Sequence, residues 1–194
     1  YTIAVLFSIF GFHWWIAKFV YVIVYFLGLI AIFRITRYYT QDLFWSYFMM
    51  ALFFTAPSLV FYGNSCIPDV PALSFSFIGY AFFLDFTEKN KTWFLWASMF
   101  FFCLSGLMKL TYLLLFMAML CVLATDYLCK TAPGKFRNIR WLLLAFFLVF
   151  VINALWLVWV DHYNVQIQYL YFLNKINPFW KESTEKGYIL KRTA

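Results

Sequence analysis

Two stretches of this chain run the width of a membrane without a charged side chain. Leu43 to Phe61 and Trp141 to Val160 contain no Asp, Glu, Lys or Arg. A helix needs about 20 apolar residues, with about 17 as a working minimum, to cross a hydrocarbon core about 30 Å thick. Both stretches meet that length. Trp14 to Phe33 supplies another, interrupted only by Lys18, while Val70 to Leu84 is shorter and must borrow from its flanks. A soluble domain is about half apolar and about a quarter charged. Here 65% of 194 residues are hydrophobic and 12% are charged, so the expected fold is an all-α polytopic transmembrane bundle.

The stretch from Trp93 to Thr125 is harder to read, because its only charge is Lys109. As one helix it would be roughly 50 Å long at 1.5 Å per residue, too long for one crossing. Two spans with a tight turn near "SGLMKLT" fit better. Charge placement tests the choice, since Lys and Arg accumulate on the cytoplasmic side of span ends. Arg34 and Arg37 form one cluster, Lys89 and Lys91 a second, and Lys130, Lys135, Arg137 and Arg140 a third. All three lie inside only if the chain crosses an even number of times between Lys91 and Lys130. The expectation is therefore about six spans with both ends outside. Trp14, Trp15, Trp45, Trp93, Trp141 and Trp159 fall near span ends, as interfacial aromatics do.

The same positions explain the net charge of +7 without nucleic acid, because the basic residues sit in short clusters between apolar runs. Cys66, Cys103, Cys121 and Cys129 lack the spacing of a zinc site or a disulfide framework. His13 and His162 lie far apart near segment ends, and no phosphate-loop, dinucleotide or zinc-protease motif occurs. No metal ligand set or cofactor is read from the sequence, and a divalent-metal requirement stays open. The chain begins at Tyr1 with no basic leader, and Tyr1 to Phe12 is too short to cross. These features read as part of a single transmembrane domain, residues 1–194, of a longer protein. Residues 162–194 would open an extracytoplasmic segment.

Between two spans lies "FYGNSCIPDVP", Phe61 to Pro71, with one carboxylate and no Lys or Arg. The topology puts it outside. Pro71 suits the first turn of the next helix and Pro68 restrains the residue before it. Asp69 then sits near that helix's N-terminus, where spacing alone favours a helix-capping role. Lys109, a cation between apolar spans, must snorkel, pair or face a wet cavity. A phosphate contact is its functional alternative. Pro57 is expected to kink its span, which membrane helices tolerate.

"LFSIFGFHWWIAKFVYVIVYFLGLIAIFRI", "SLVFYGNSCIPDVPALSFSFIGYAFF" and "CLSGLMKLTYLLL" occur in that order. From Phe7 to Trp180 the chain resembles the C-type membrane glycosyltransferases, in the bacterial branch similar to protein mannosyltransferases and aminoarabinose transferases. The resemblance implies a polyprenyl-phosphate-linked sugar as donor. Transfer would be to a lipid, glycan or protein outside the cytoplasm, from the bacterial inner membrane. It implies that Tyr62 and Asp69 line the substrate cavity and that Lys109 approaches the donor phosphate. Lys18 stands where the family often has Arg, which keeps charge but loses the bidentate fork. The family's catalytic acid lies in a first outer loop, expected upstream of this sequence together with the first span, so no catalytic base is assigned. A transporter or lipid flippase is the alternative reading, since buried charges and broken helices also mark a substrate path. A non-catalytic scaffold would need no outer-face acid or base.

Overall fold

The computed structural model describes Ser8, Ile9, Gly11 and residues 13–64, 67–128 and 139–166. Among these residues every regular element is helical: α1 (Trp14–Thr40), α2 (Leu43–Thr55), α3 (Pro57–Asn64), α4 (Asp69–Lys89), α5 (Thr92–Met108), a 3-10 turn (Leu110–Leu113), α6 (Leu114–Leu128) and α7 (Ile139–Gln166). Three helices are long and apolar enough to cross a membrane, within α1, α4 and α7, or four if α2 and α3 are one bent span. Thr92–Met108 and Leu110–Thr125 are apolar but shorter. In α1, α4 and α7 apolar residues run around the whole circumference rather than along one stripe, as in helices surrounded by lipid or by other helices.

Each boundary has a local cause. The first helix runs past Phe33 to Thr40 and carries Arg34 and Arg37 in its last two turns. It stops at Gln41, whose left-handed conformation lets its N–H bond Arg37 O at 3.0 Å. Asn90 ends α4 in the same way, its N–H on Phe86 O at 2.9 Å. Asp42 caps α2 by accepting from Phe44 N at 2.9 Å. The charge-free run from Leu43 breaks where Pro57 was expected to kink it. Ala56 is extended, with ψ 115°, and α2 and α3 meet at 59°. The third span gains both flanks and becomes the 21 residues of α4.

The chain divides into two compact units, Tyr1–Asn153 and Ala154–Ala194, with α7 contributing residues to both. Within the first unit the helices alternate in direction. Tyr25 Oη donates to Phe53 O at 2.8 Å, and the Phe33 and Tyr47 rings lie 4.9 Å apart, so α2 runs antiparallel to α1. Ser105 Oγ donates to Ala72 O at 2.7 Å, while Phe82 stacks on Phe94 and Phe101, so α5 runs antiparallel to α4. Phe102 and Phe116 are 14 positions apart, yet their rings lie 5.2 Å apart, so the chain doubles back at Lys109 as the sequence indicates. The Trp96 and Trp141 rings are 6.4 Å apart and Gly106 abuts Asn153, which sets the part of α7 up to Asn153 parallel to α5.

The main core lies among α4, α5, α6 and the first half of α7, centred on Leu95, Met99, Phe102, Phe116, Phe146 and Val149. A smaller cluster of Ala31, Ile78 and Ala81 joins α1 to α4. Of the α4 window, 67% is buried, against 39% for α1, so α4 is the more enclosed of the two. Of the second unit the structure describes residues 154–166, the end of α7, where the Trp156 and Trp159 rings stack at 5.1 Å.

Candidate functional site

One end of α4 holds the residues that the sequence singled out. Pro68, at φ −66° and ψ −6°, is the N-cap, and Ala72 N closes the first turn on its carbonyl at 3.0 Å. Pro71 lies in that first turn, where a missing N–H costs nothing. Asp69 is thus the first helical residue rather than the cap. Its negative charge is favoured there by the helix dipole, but its side chain turns to other partners.

Those partners come from the break between α5 and α6. Lys109 ends α5, its N–H bonded to Ser105 O at 2.9 Å and its backbone extended at φ −159° and ψ 115°. Its ammonium forms an ion pair with Asp69 Oδ1. Tyr112 Oη donates to the same Asp69 oxygen at 3.0 Å, and Lys109 Nζ lies 5.9 Å from the centre of the Tyr112 ring. Two further bonds tie the break to α4: Ser105 Oγ to Ala72 O, and Ser76 Oγ to Tyr112 O at 3.1 Å. Asp69, Lys109 and Tyr112 are therefore held by a frame buried where α4 meets α5, at the fully enclosed Ser76 and Ser105. The Asp69 side chain is 21% exposed and that of Lys109 is 41% exposed, so the cation keeps an open face.

Tyr62 is exposed on α3, its ring edge-on to Phe61 at 5.5 Å, and its phenol lies within electrostatic range of Tyr112. The structure so brings Asp69 and Lys109 into contact and places Tyr62 close by. Lys18 is exposed near the start of α1. Tyr112 was not singled out from the sequence. Its spacing is the available signal: a 3-10 turn has three residues per turn, so positions 109 and 112 fall on one side.

A second charged cluster occupies the opposite end of α4. Asp85, buried, receives an ion pair from Arg34 and another from Lys89 at 3.1 Å. The first two basic clusters therefore meet at one end of the bundle. Lys130, Lys135, Arg137 and the Arg140 side chain lie outside the described residues, as do the segment before Ser8 and the tail after Gln166. Among the described residues no group of three His, Cys, Asp or Glu side chains is placed to hold a metal ion. Chemically, the Asp69 cluster offers a carboxylate that can accept a hydroxyl proton and a half-open ammonium that can meet an anion.

No family model, curated protein or solved structure matches this chain.

Proposed function

We propose that this chain belongs to an integral-membrane glycosyltransferase that uses a polyprenyl-phosphate-linked sugar. In this reading it crosses the bacterial inner membrane six times with both ends outside. The crossings are α1, the bent α2–α3 pair, α4, α5, α6 and α7. The acceptor is an extracytoplasmic lipid, glycan or protein. The observation that carries the reading is the Asp69–Lys109–Tyr112 cluster at the end of α4 remote from the Arg34 and Lys89 charges.

Transfer requires the acceptor oxygen to attack the sugar C1 while the bond from C1 to phosphate breaks. The acceptor proton passes to a carboxylate, and negative charge grows on the leaving polyprenyl phosphate. Lys109 is the cation for that charge. Its ion pair with Asp69, which Tyr112 also bonds, avoids leaving a cation unpaired among apolar spans. An arriving phosphate competes for the ammonium, and Asp69 is released toward the substrate. Tyr62 lines the same side. A transporter would claim the 59° break between α2 and α3 as its broken helix, but the charged pair lies at an end of α4 rather than midway along it.

The test is donor binding by the chain in nanodiscs, using a polyprenyl phosphate as probe. Lys109→Gln is expected to weaken binding at least tenfold, the scale of one charge-assisted contact. Lys109→Arg keeps the charge and should retain part of the affinity. Equal affinity for the Gln variant and the unmodified chain would remove Lys109 from the site, and the reading with it.

A further inference from the structure

The end of the bundle remote from Asp69 contains a polar cleft that opens beside an apolar cavity. The cleft, about 290 Å³, lies between α1 and α4 and is lined by Arg34, Arg37, Tyr38 and Gln41 on one side. Asp85 and Glu88 face it from α4. The apolar cavity, about 360 Å³, lies between α4 and α6, among Phe83, Leu115, Ala118, Met119 and Val122. Tyr38 and Leu84 line both, so the two spaces adjoin.

Charge decides what suits the polar part. Asp85 is already neutralised by Arg34 and Lys89, and Glu88 is exposed at the rim. The cleft is lined by two cations and two carboxylates, but Lys89, outside the lining, also pairs with Asp85, and among the described residues Arg37 makes no ion pair. Asp85 also fixes one edge of the Arg34 guanidinium, which leaves its other donors oriented at little further entropic cost. Ordinary snorkelling would account for cations at a span end. It does not account for a fixed guanidinium, a free one and an apolar cavity meeting at Tyr38.

We propose that this end binds an anionic phospholipid from the surrounding leaflet. Its phosphate meets Arg34 and Arg37, and an acyl chain enters the cavity between α4 and α6. A bilayer supplies both halves of such a ligand in one molecule, already oriented with headgroup at the cleft and chain alongside. Anionic headgroups also concentrate on the cytoplasmic face, where basic residues gather.

The experiment uses the chain, stripped of lipid in an uncharged detergent, with its melting temperature followed during titration. The probes are dioleoyl phosphatidylglycerol, dioleoyl phosphatidylcholine and inorganic phosphate. Phosphatidylglycerol is expected to raise the melting temperature at concentrations where the other two do not. Arg37→Gln, which breaks no ion pair, should weaken the phosphatidylglycerol effect about fivefold, the worth of one cation near an anionic surface. Ala118→Phe fills the apolar cavity without touching charge and should weaken it as well. Equal stabilisation by phosphatidylcholine would overturn the anionic headgroup. Equal stabilisation by inorganic phosphate would make the ligand a soluble anion. No change with either variant would remove the site.

Discussion

At the scale of single residues, the informative positions are those where a polar group had a choice of partner. Asp69 could have capped α4; instead Pro68 is the cap and the carboxylate collects Lys109 and Tyr112. Because both bonds end on one oxygen, neither partner is independent of the other. Tyr112→Phe removes one hydroxyl donor from a partly buried carboxylate and is expected to cost about 1 kcal/mol, the usual net worth of such a bond. In a double-mutant cycle with Asp69→Ala, which removes the acceptor, followed by reversible unfolding in micelles, the two losses should not add. Strict additivity would mean that the Tyr112 hydroxyl does not act through Asp69. Of this site, Asp69 and Lys109 were legible because a lone acid and a lone base in apolar sequence are conspicuous. Tyr112 was hidden, since one of 14 tyrosines carries no signal until the turn places it beside Lys109. The pairing of Arg34 with Asp85 was equally hidden, 51 positions apart and fixed only by which faces of α1 and α4 meet.

At the scale of elements, helix pairing depends on small residues more than on large ones. Lipid tails are as apolar as Leu, so burying Leu gives little preference for one helical neighbour over another, and close backbone approach decides instead. Gly28 is where α1 touches α4: a Cβ there would stand 2.7 Å from Ser74 Cβ and 3.0 Å from its Cα. The Ser74 backbone cannot rotate away. Gly28→Ala is expected to push the helices apart and destabilise the bundle by roughly 1–3 kcal/mol, the range for overpacked contacts. Gly63→Ala is the control, because its Cβ would meet only Val70 at 3.9 Å. Unfolding midpoints in mixed micelles compare the two, and an unchanged midpoint for Gly28→Ala would show that α1 is not held at Ser74. Helix existence was readable from run length and charge, and the break at Pro57 from the proline itself. The ends were less so. Continuation of α1 to Thr40 and of α4 to Lys89 depends on polar turns that are stable because Asp85 ties Arg34 and Lys89 together.

At the scale of the whole molecule, α4 acts as a ruler. Asp69 and Lys89 are its ends, about 30 Å apart at 1.5 Å per residue, which matches the hydrocarbon thickness. One end carries the paired Asp69 and Lys109, the other Arg34, Asp85 and Lys89. The helices that meet these two ends alternate in direction, so the ends of α1 and α4, at Thr40 and Lys89, fall at one face and the start of α4, at Asp69, at the other. The charge parity read from the sequence turns on the cluster from Lys130 to Arg140, whose side chains lie outside the described residues. In the proposed topology the basic clusters face the cytoplasm, where Lys and Arg accumulate. A single-cysteine protein retaining Cys66, between α3 and α4, is therefore expected to react with a membrane-impermeant thiol reagent in intact cells. A cysteine placed at Gln41 or Asn90 in a Cys-free protein should react only after the inner membrane is permeabilised. Both loop positions adopt left-handed backbone at helix ends, so each substitution is checked for folding by its melting temperature before labelling. Labelling in the reverse order would invert the molecule, put Asp69 and Lys109 in the cytoplasm, and remove the extracytoplasmic acceptor from the proposed reaction. Labelling of all three positions in intact cells would mean that α4 does not span the membrane at all.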